Sequence, residues 1–124
     1  MAIVLCIISE EANLRQLFFC VRMRAIGVWG DLSTFMKNFY YTYVLLSLKD
    51  DKFYIGYTDD LENRIKEHNA GRVDSTRDRR PFKLVYCEAC LNKTDAIKRE
   101  KYFKTGFGRR FLNNRLENYL KEIK

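Results

Sequence analysis

A chain of 124 residues, 47% hydrophobic and 15% aromatic, is sized for one domain with a real core. Its formal charge is +7, and the three cations and three anions of residues 1–35 cancel, so the excess lies in 36–124. A compact basic domain favours a polyanionic partner, because phosphate contacts release counterions. One histidine beside four cysteines argues against the usual zinc ligand sets.

Residues 1–35 read as an N-terminal extension, with Met36 as the expected natural start. The apolar run 2–8 is interrupted by Ser9-Glu10-Glu11 and is too short to span a bilayer. It also lacks the basic flank and cleavage site of a secretory signal. No membrane partner is expected, and a cytoplasmic location is. Leu14, Leu17, Phe18 and Val21 are spaced for an amphipathic helix.

The domain proper is placed at 36–124. Residues 39–48 are rich in Tyr, Val and Leu, as strands prefer. A polar connection, 49–52, leads to a second strand at 53–58, and the pair reads as a hairpin. Asp59 or Asp60 caps a helix from 61 to about 69, and Gly71 ends it. Residues 72–81 form a polar loop with four arginines. A third strand follows at 82–90. Cys87 and Cys90 within it fall on opposite faces and are expected to be unpaired thiols without a metal or redox role. Asn92 or Thr94 caps a helix to about 104. Gly106 and Gly108 punctuate, and a last helix is predicted from about 110 to 123. The fold class is α+β, a small three-stranded antiparallel sheet flanked by helices in the order β-β-α-β-α-α.

Some polar residues fall where apolar ones belong. Leu61, Arg64, Ile65 and His68 share the stripe of the first helix that should face the sheet. Arg64 could snorkel from that position, with its stem on apolar surface. Ala96, Glu100, Phe103 and Phe107 form the stripe of the second helix. A buried carboxylate there needs a metal or an ion pair, with Arg64 or a lysine. The third helix carries Leu112, Leu116, Tyr119, Leu120 and Ile123 as ordinary core. Arg64, His68 and Glu100 converging on a tyrosine-rich sheet suggest a functional cluster.

These residues resemble the GIY-YIG nuclease superfamily. Tyr41-Thr42-Tyr43 stands where the family has Gly-Ile-Tyr, and Tyr54-Ile55-Gly56 matches its Tyr-Ile-Gly. Arg64 lies ten residues after Tyr54, at the spacing of the family arginine. Glu100 matches the metal-binding glutamate, and His68 stands where members have His or Tyr. Asn114 is preferred over Asn113 for the late asparagine. The likeness covers about 39–118 and is greatest to small stand-alone bacterial members, and extends to the N-terminal nuclease domain of UvrC. The first triplet lacks its Gly and Ile, and Tyr57 stands where the UvrC branch has lysine.

The resemblance implies a metal-dependent endonuclease hydrolysing DNA phosphodiesters, structure-dependent or weakly sequence-specific, of a kind used in DNA repair or recombination. It implies Tyr43, Tyr54, Arg64, His68 and Glu100 as catalytic residues. Glu100 would hold one Mg²⁺, or Mn²⁺, and Arg64 the scissile phosphate. Either Tyr43 or His68 could serve as the base. Arg72, Arg77, Arg79, Arg80, Arg109, Arg110 and Asn114 are candidate nucleic-acid contacts. With no base-reading motif, substrate targeting is left to a protein partner. The alternative is a nucleic-acid-binding module that keeps the fold with little or no activity.

Overall fold

The structure, a computed structural model, describes residues 3–5 and 39–124. The expectations for Met36, for a helix over 14–21 and for Cys6 and Cys20 lie outside the described residues. The first described element is a short strand, β1 (Ile3–Leu5). The three expected strands follow as β2 (Tyr40–Ser47), β3 (Phe53–Thr58) and β4 (Phe82–Cys90). All pairings are antiparallel and the order is β1-β4-β2-β3, so β1 adds a short fourth strand beside β4. β3 is the other edge.

Among the described residues four α-helices flank the sheet: α1 (Leu61–Ala70), α2 (Lys93–Phe103), α3 (Gly106–Arg115) and α4 (Glu117–Glu122). Each of the first three starts at a side-chain cap, as orphan N–H groups require. Asp60 accepts from Asn63 N, Asn92 from Thr94 N and Asp95 N, and Thr105 from Gly108 N. Gly71 ends α1 at φ 78°, and its N–H bonds Glu67 O and His68 O.

β2 is buried without alternation from Tyr41 to Ser47, because the sheet is covered on both faces. Tyr41, Tyr43 and Leu45 face one core with Leu61, Phe82 and Cys87. Val44 and Leu46 face the other with Ile55, Phe103, Leu112, Leu116 and Tyr119. An irregular register between Val44 and Leu45 turns the adjacent Val85 and Tyr86 into the same core. Cys87 is buried and Cys90 half-buried, on opposite faces of β4 as expected.

The last helix differs from its prediction. It starts at Gly106, not near 110, and breaks at Leu116 into α3 and α4. Glycine there is a packing device rather than a stop. A Cβ on Gly108 would overlap the carbonyl oxygen of Tyr102 and lie 2.5 Å from Phe103 Cα, so only glycine lets α3 approach the end of α2. Phe107 consequently leaves the α2 stripe and is 75% exposed in the first turn of α3. Ile123 is likewise exposed, beyond the buried set Leu112, Leu116 and Tyr119.

Candidate active site

The hairpin brings the two tyrosine triplets into register. Tyr43 pairs with Gly56 and Leu45 with Tyr54, so Tyr43 and Tyr54 share a face, their ring centroids 6.4 Å apart. A Cβ on Gly56 would lie 2.5 Å from Tyr43 Oη and 2.6 Å from its Cζ. The glycine of the second triplet is thus the floor on which the tyrosine of the first triplet lies.

His68 comes up beneath both rings from the last turn of α1. Its centroid is 5.8 Å from that of Tyr43 and 4.8 Å from that of Tyr54. Its Nε2 is 2.9 Å from Tyr43 Oη and its Nδ1 is 2.8 Å from Thr76 Oγ1. His68 and Thr76 have no exposed surface, and Tyr43 has almost none. Tyr54 is half-buried.

Arg64 sits one turn before His68 and is partly exposed, so it snorkels as its stripe position allows. Its Nη1 is 3.1 Å from Glu67 Oε2. Glu100 enters from α2 with its side chain 15% exposed, and Lys104 Nζ donates to its Oε1 at 2.7 Å. The expected ion pair on Glu100 is therefore with a lysine one turn on, not with Arg64. Arg64 and Glu100 both act on Tyr43 through their charges. Burial pushes the phenol pKa up, Tyr54 adds to this, Arg64 opposes it, and Glu100 and Glu67 reinforce it. Tyr43 therefore keeps its proton at neutral pH.

Burial pushes His68 down to about 4, with Arg64 acting in the same direction and Glu67 against it. The folded protein thus resists protonating His68 while the unfolded chain accepts a proton near the ordinary pKa of 6.5. Stability from this source is complete above about pH 6.5 and is lost as pH falls toward 4, by up to about 3 kcal/mol. Urea unfolding of wild type and His68→Gln across this range measures it. The stability difference should be constant at neutral pH and shrink on acidification; a difference flat to pH 4 would mean that His68 titrates normally.

Beside Tyr54 runs a groove along the β3 edge, lined among others by Phe53, Tyr54, Lys104, Arg109, Asn113 and Lys124. Asn113, rather than Asn114, faces this groove. It lies one turn after Arg109, whereas Asn114 is exposed on the side of α3 away from the buried Leu112.

The arginine loop is largely committed to its own structure. Arg79 Nε is 2.7 Å from Asp50 Oδ2 and holds the Asp50 carboxyl well below its usual range. Arg77 pairs with Asp74 and donates to Gly71 O, and Arg80 donates to Arg77 O. Arg72, Arg109 and Arg110 are exposed, and their side chains make no ion pair among the described residues.

Two polar groups carried no signal in the sequence reading. Thr76 is one. The other is the Glu88–Arg99 pair, with Arg99 Nε 2.8 Å and Nη2 3.0 Å from the carboxylate, Tyr86 Oη donating to Glu88, and the guanidinium over Phe103 and Phe111. It ties β4 to α2 and α3. Among the described residues no three His, Cys, Asp or Glu side chains group to hold a metal. Glu100 and Glu67 are the carboxylates that act on Tyr43, Glu67 being held by Arg64, and one carboxylate with water and phosphate oxygens suffices for Mg²⁺. No described helix is long and apolar enough to cross a membrane.

A family model described as the GIY-YIG catalytic domain matches residues 39–115, the span that holds Tyr43, Tyr54, Arg64, His68, Thr76 and Glu100. The chain is 46% identical over 68 residues to a UPF0213 protein of Bacillus licheniformis, covering 54% of this chain and 69% of the relative. It is 39% identical over 69 residues to the UPF0213 protein YazA of Bacillus subtilis, covering 55% and 67%. A UPF0213 protein of Clostridium perfringens is 49% identical over 65 residues, covering 52% and 69%. None of these names states an activity.

Proposed function

The chain belongs to the GIY-YIG nuclease superfamily, and from that premise we propose that it is a divalent-metal-dependent endonuclease acting on DNA, by structure or with weak sequence preference. The observation that carries this is the buried Tyr43 phenol, 2.9 Å from His68 Nε2 and acted on by both Arg64 and Glu100, beside a groove whose cations outnumber its carboxylates. Opposite charges brought to one enclosed phenol are poor core design and suit phosphodiester hydrolysis.

Arg64 would hold the scissile phosphate and offset charge on its equatorial oxygens, exchanging Glu67 for a bidentate phosphate contact. Tyr54, the more exposed of the two tyrosines, would position the attacking water. Tyr43 stands between that water and His68. His68 has no exposed surface and its Nε2 is 2.9 Å from Tyr43 Oη, which favours Tyr43 as base, with His68, which resists a proton at rest, taking the phenol proton only in the step itself. Glu100, with Mg²⁺ or Mn²⁺ bound, would supply the positive charge that steadies the leaving oxygen. Lys104, Arg109 and Arg110 would track the backbone, with Asn113 at the groove and Arg72 at the far side. A protein partner would supply targeting, and cytoplasmic DNA repair or recombination is the setting we assign.

The second reading, a binding module with little activity, has one observation in its favour. The charged site residues are already partnered, Arg64 by Glu67 and Glu100 by Lys104. Nicking of supercoiled plasmid and branched oligonucleotides separates the two. Nicking should require Mg²⁺ or Mn²⁺, stop with chelator, and fall about 10²-fold in Arg64→Ala. Salt-sensitive binding without metal-dependent nicking would favour the binding module, and equal nicking by wild type and variant would mean a contaminant.

A further inference from the structure

Thr76 lies in the loop between α1 and β4, outside the motifs that the sequence singles out, and is wholly buried. Its Oγ1 donates to Val73 O at 3.2 Å and stands 2.8 Å from His68 Nδ1. A hydroxyl has one hydrogen. With that hydrogen on Val73, the oxygen can only accept from His68, so Nδ1 carries a proton. In a neutral imidazole Nε2 is then the acceptor, and its partner is the Tyr43 phenol at 2.9 Å. The bonds run one way: Tyr43 O–H to His68 Nε2, His68 Nδ1–H to Thr76 Oγ1, and Thr76 O–H to Val73 O. The other tautomer would face the phenol with an N–H and turn the Thr76 hydroxyl away from Val73 O, leaving that carbonyl the Thr76 backbone N–H alone.

We propose that Thr76 is a positioning residue. Its hydroxyl, anchored on Val73, holds His68 as the Nδ1–H tautomer, so that Nε2 can take the Tyr43 phenolic proton. The catalytic role rests on the nuclease reading; the tautomer does not. In the step, a water O–H bond breaks as its proton passes to Tyr43 Oη. The Tyr43 proton passes to His68 Nε2, and the water oxygen bonds to phosphorus. The P–O bond to the leaving oxygen breaks, that oxygen takes a proton from solvent, and His68 later returns its proton by the same route. Throughout, Thr76 keeps accepting from Nδ1–H.

His68 is the only histidine in the chain, so a long-range ¹H–¹⁵N spectrum of the labelled protein reads its two nitrogens without ambiguity. The wild type at neutral pH should show Nδ1 protonated and Nε2 bare. Thr76→Ser should keep this pattern, and Thr76→Val should shift the population toward Nε2–H. Single-turnover nicking should slow about 10-fold in Thr76→Val and stay near wild type in Thr76→Ser. Nε2–H in the wild type, an unchanged spectrum in Thr76→Val, or undiminished nicking by that variant would each overturn the proposal. A wild type that shows the expected spectrum but never nicks would remove the nuclease reading, and the positioning role with it.

Discussion

Glu100→Ala is expected to reduce metal-stimulated nicking about 10³-fold or more, to background, while leaving the fold almost untouched. The reason for the first part is that no three His, Cys, Asp or Glu side chains group together among the described residues and Glu67 is held by Arg64, so nothing replaces the lost ligand. Metal charge stabilisation of several kcal/mol corresponds to that loss in rate. The second part follows from the pairing. Glu100 is bound to Lys104 four residues on, and the lysine is half-exposed, so the pair contributes at most about 0.5 kcal/mol. A competing account would have Glu100 act only through its field on Tyr43. That account predicts the opposite sign, because Glu100 raises the phenol pKa and its removal would ease the loss of the proton. Nicking rates and urea unfolding on the same samples decide. A variant that loses activity only in proportion to its stability, or that nicks faster, would take Glu100 out of the site.

Gly108→Ala is expected to cost about 3 kcal/mol or more, a large effect for one methyl group. Its Cβ would meet the Tyr102 carbonyl oxygen and the Phe103 Cα, which are backbone atoms of the last turn of α2 and have no rotamer to escape into. Phe103 is fully buried between the sheet and α3, so a shift of that turn disturbs the core. Gly106 is the control. A Cβ there meets nothing within 4 Å, and Gly106→Ala should be neutral or slightly stabilising. Thermal unfolding of the two variants should separate them clearly; equal melting temperatures would mean that α3 can retreat from α2 freely.

The strands β2, β3 and β4, unlike the short β1, were legible because the physics that makes them is local. The run 53–58 and the run 82–90 agree with the observed β3 and β4 to the residue, and 39–48 overshoots β2 by one at each end. The caps Asp60 and Asn92 and the stop at Gly71 follow from short-range hydrogen bonding. The start of α3 was not legible, because glycine reads as a breaker unless the neighbour that demands it is known. Here that neighbour is the backbone at Tyr102. Arg64, His68 and Glu100 stood out in the sequence as polar groups on apolar stripes. Thr76 did not, because a threonine in a polar loop is unremarkable until the histidine above it is placed. The arginine loop shows the converse: Arg77, Arg79 and Arg80 invited a phosphate-binding role by charge alone, and the structure gives their donors to Asp74, Asp50 and backbone carbonyls.

The contact between Gly56 and the Tyr43 ring has a consequence for how such a chain can change over generations. A methyl group at 56 and a phenol at 43 claim the same space, so position 56 cannot gain a side chain while the ring at 43 stays where it is. A lineage that gained bulk at 56 would have to surrender the ring at 43, and with it the hydroxyl that faces His68. The glycine of the second tripeptide is therefore held in place by the tyrosine of the first, across the hairpin that separates them in sequence.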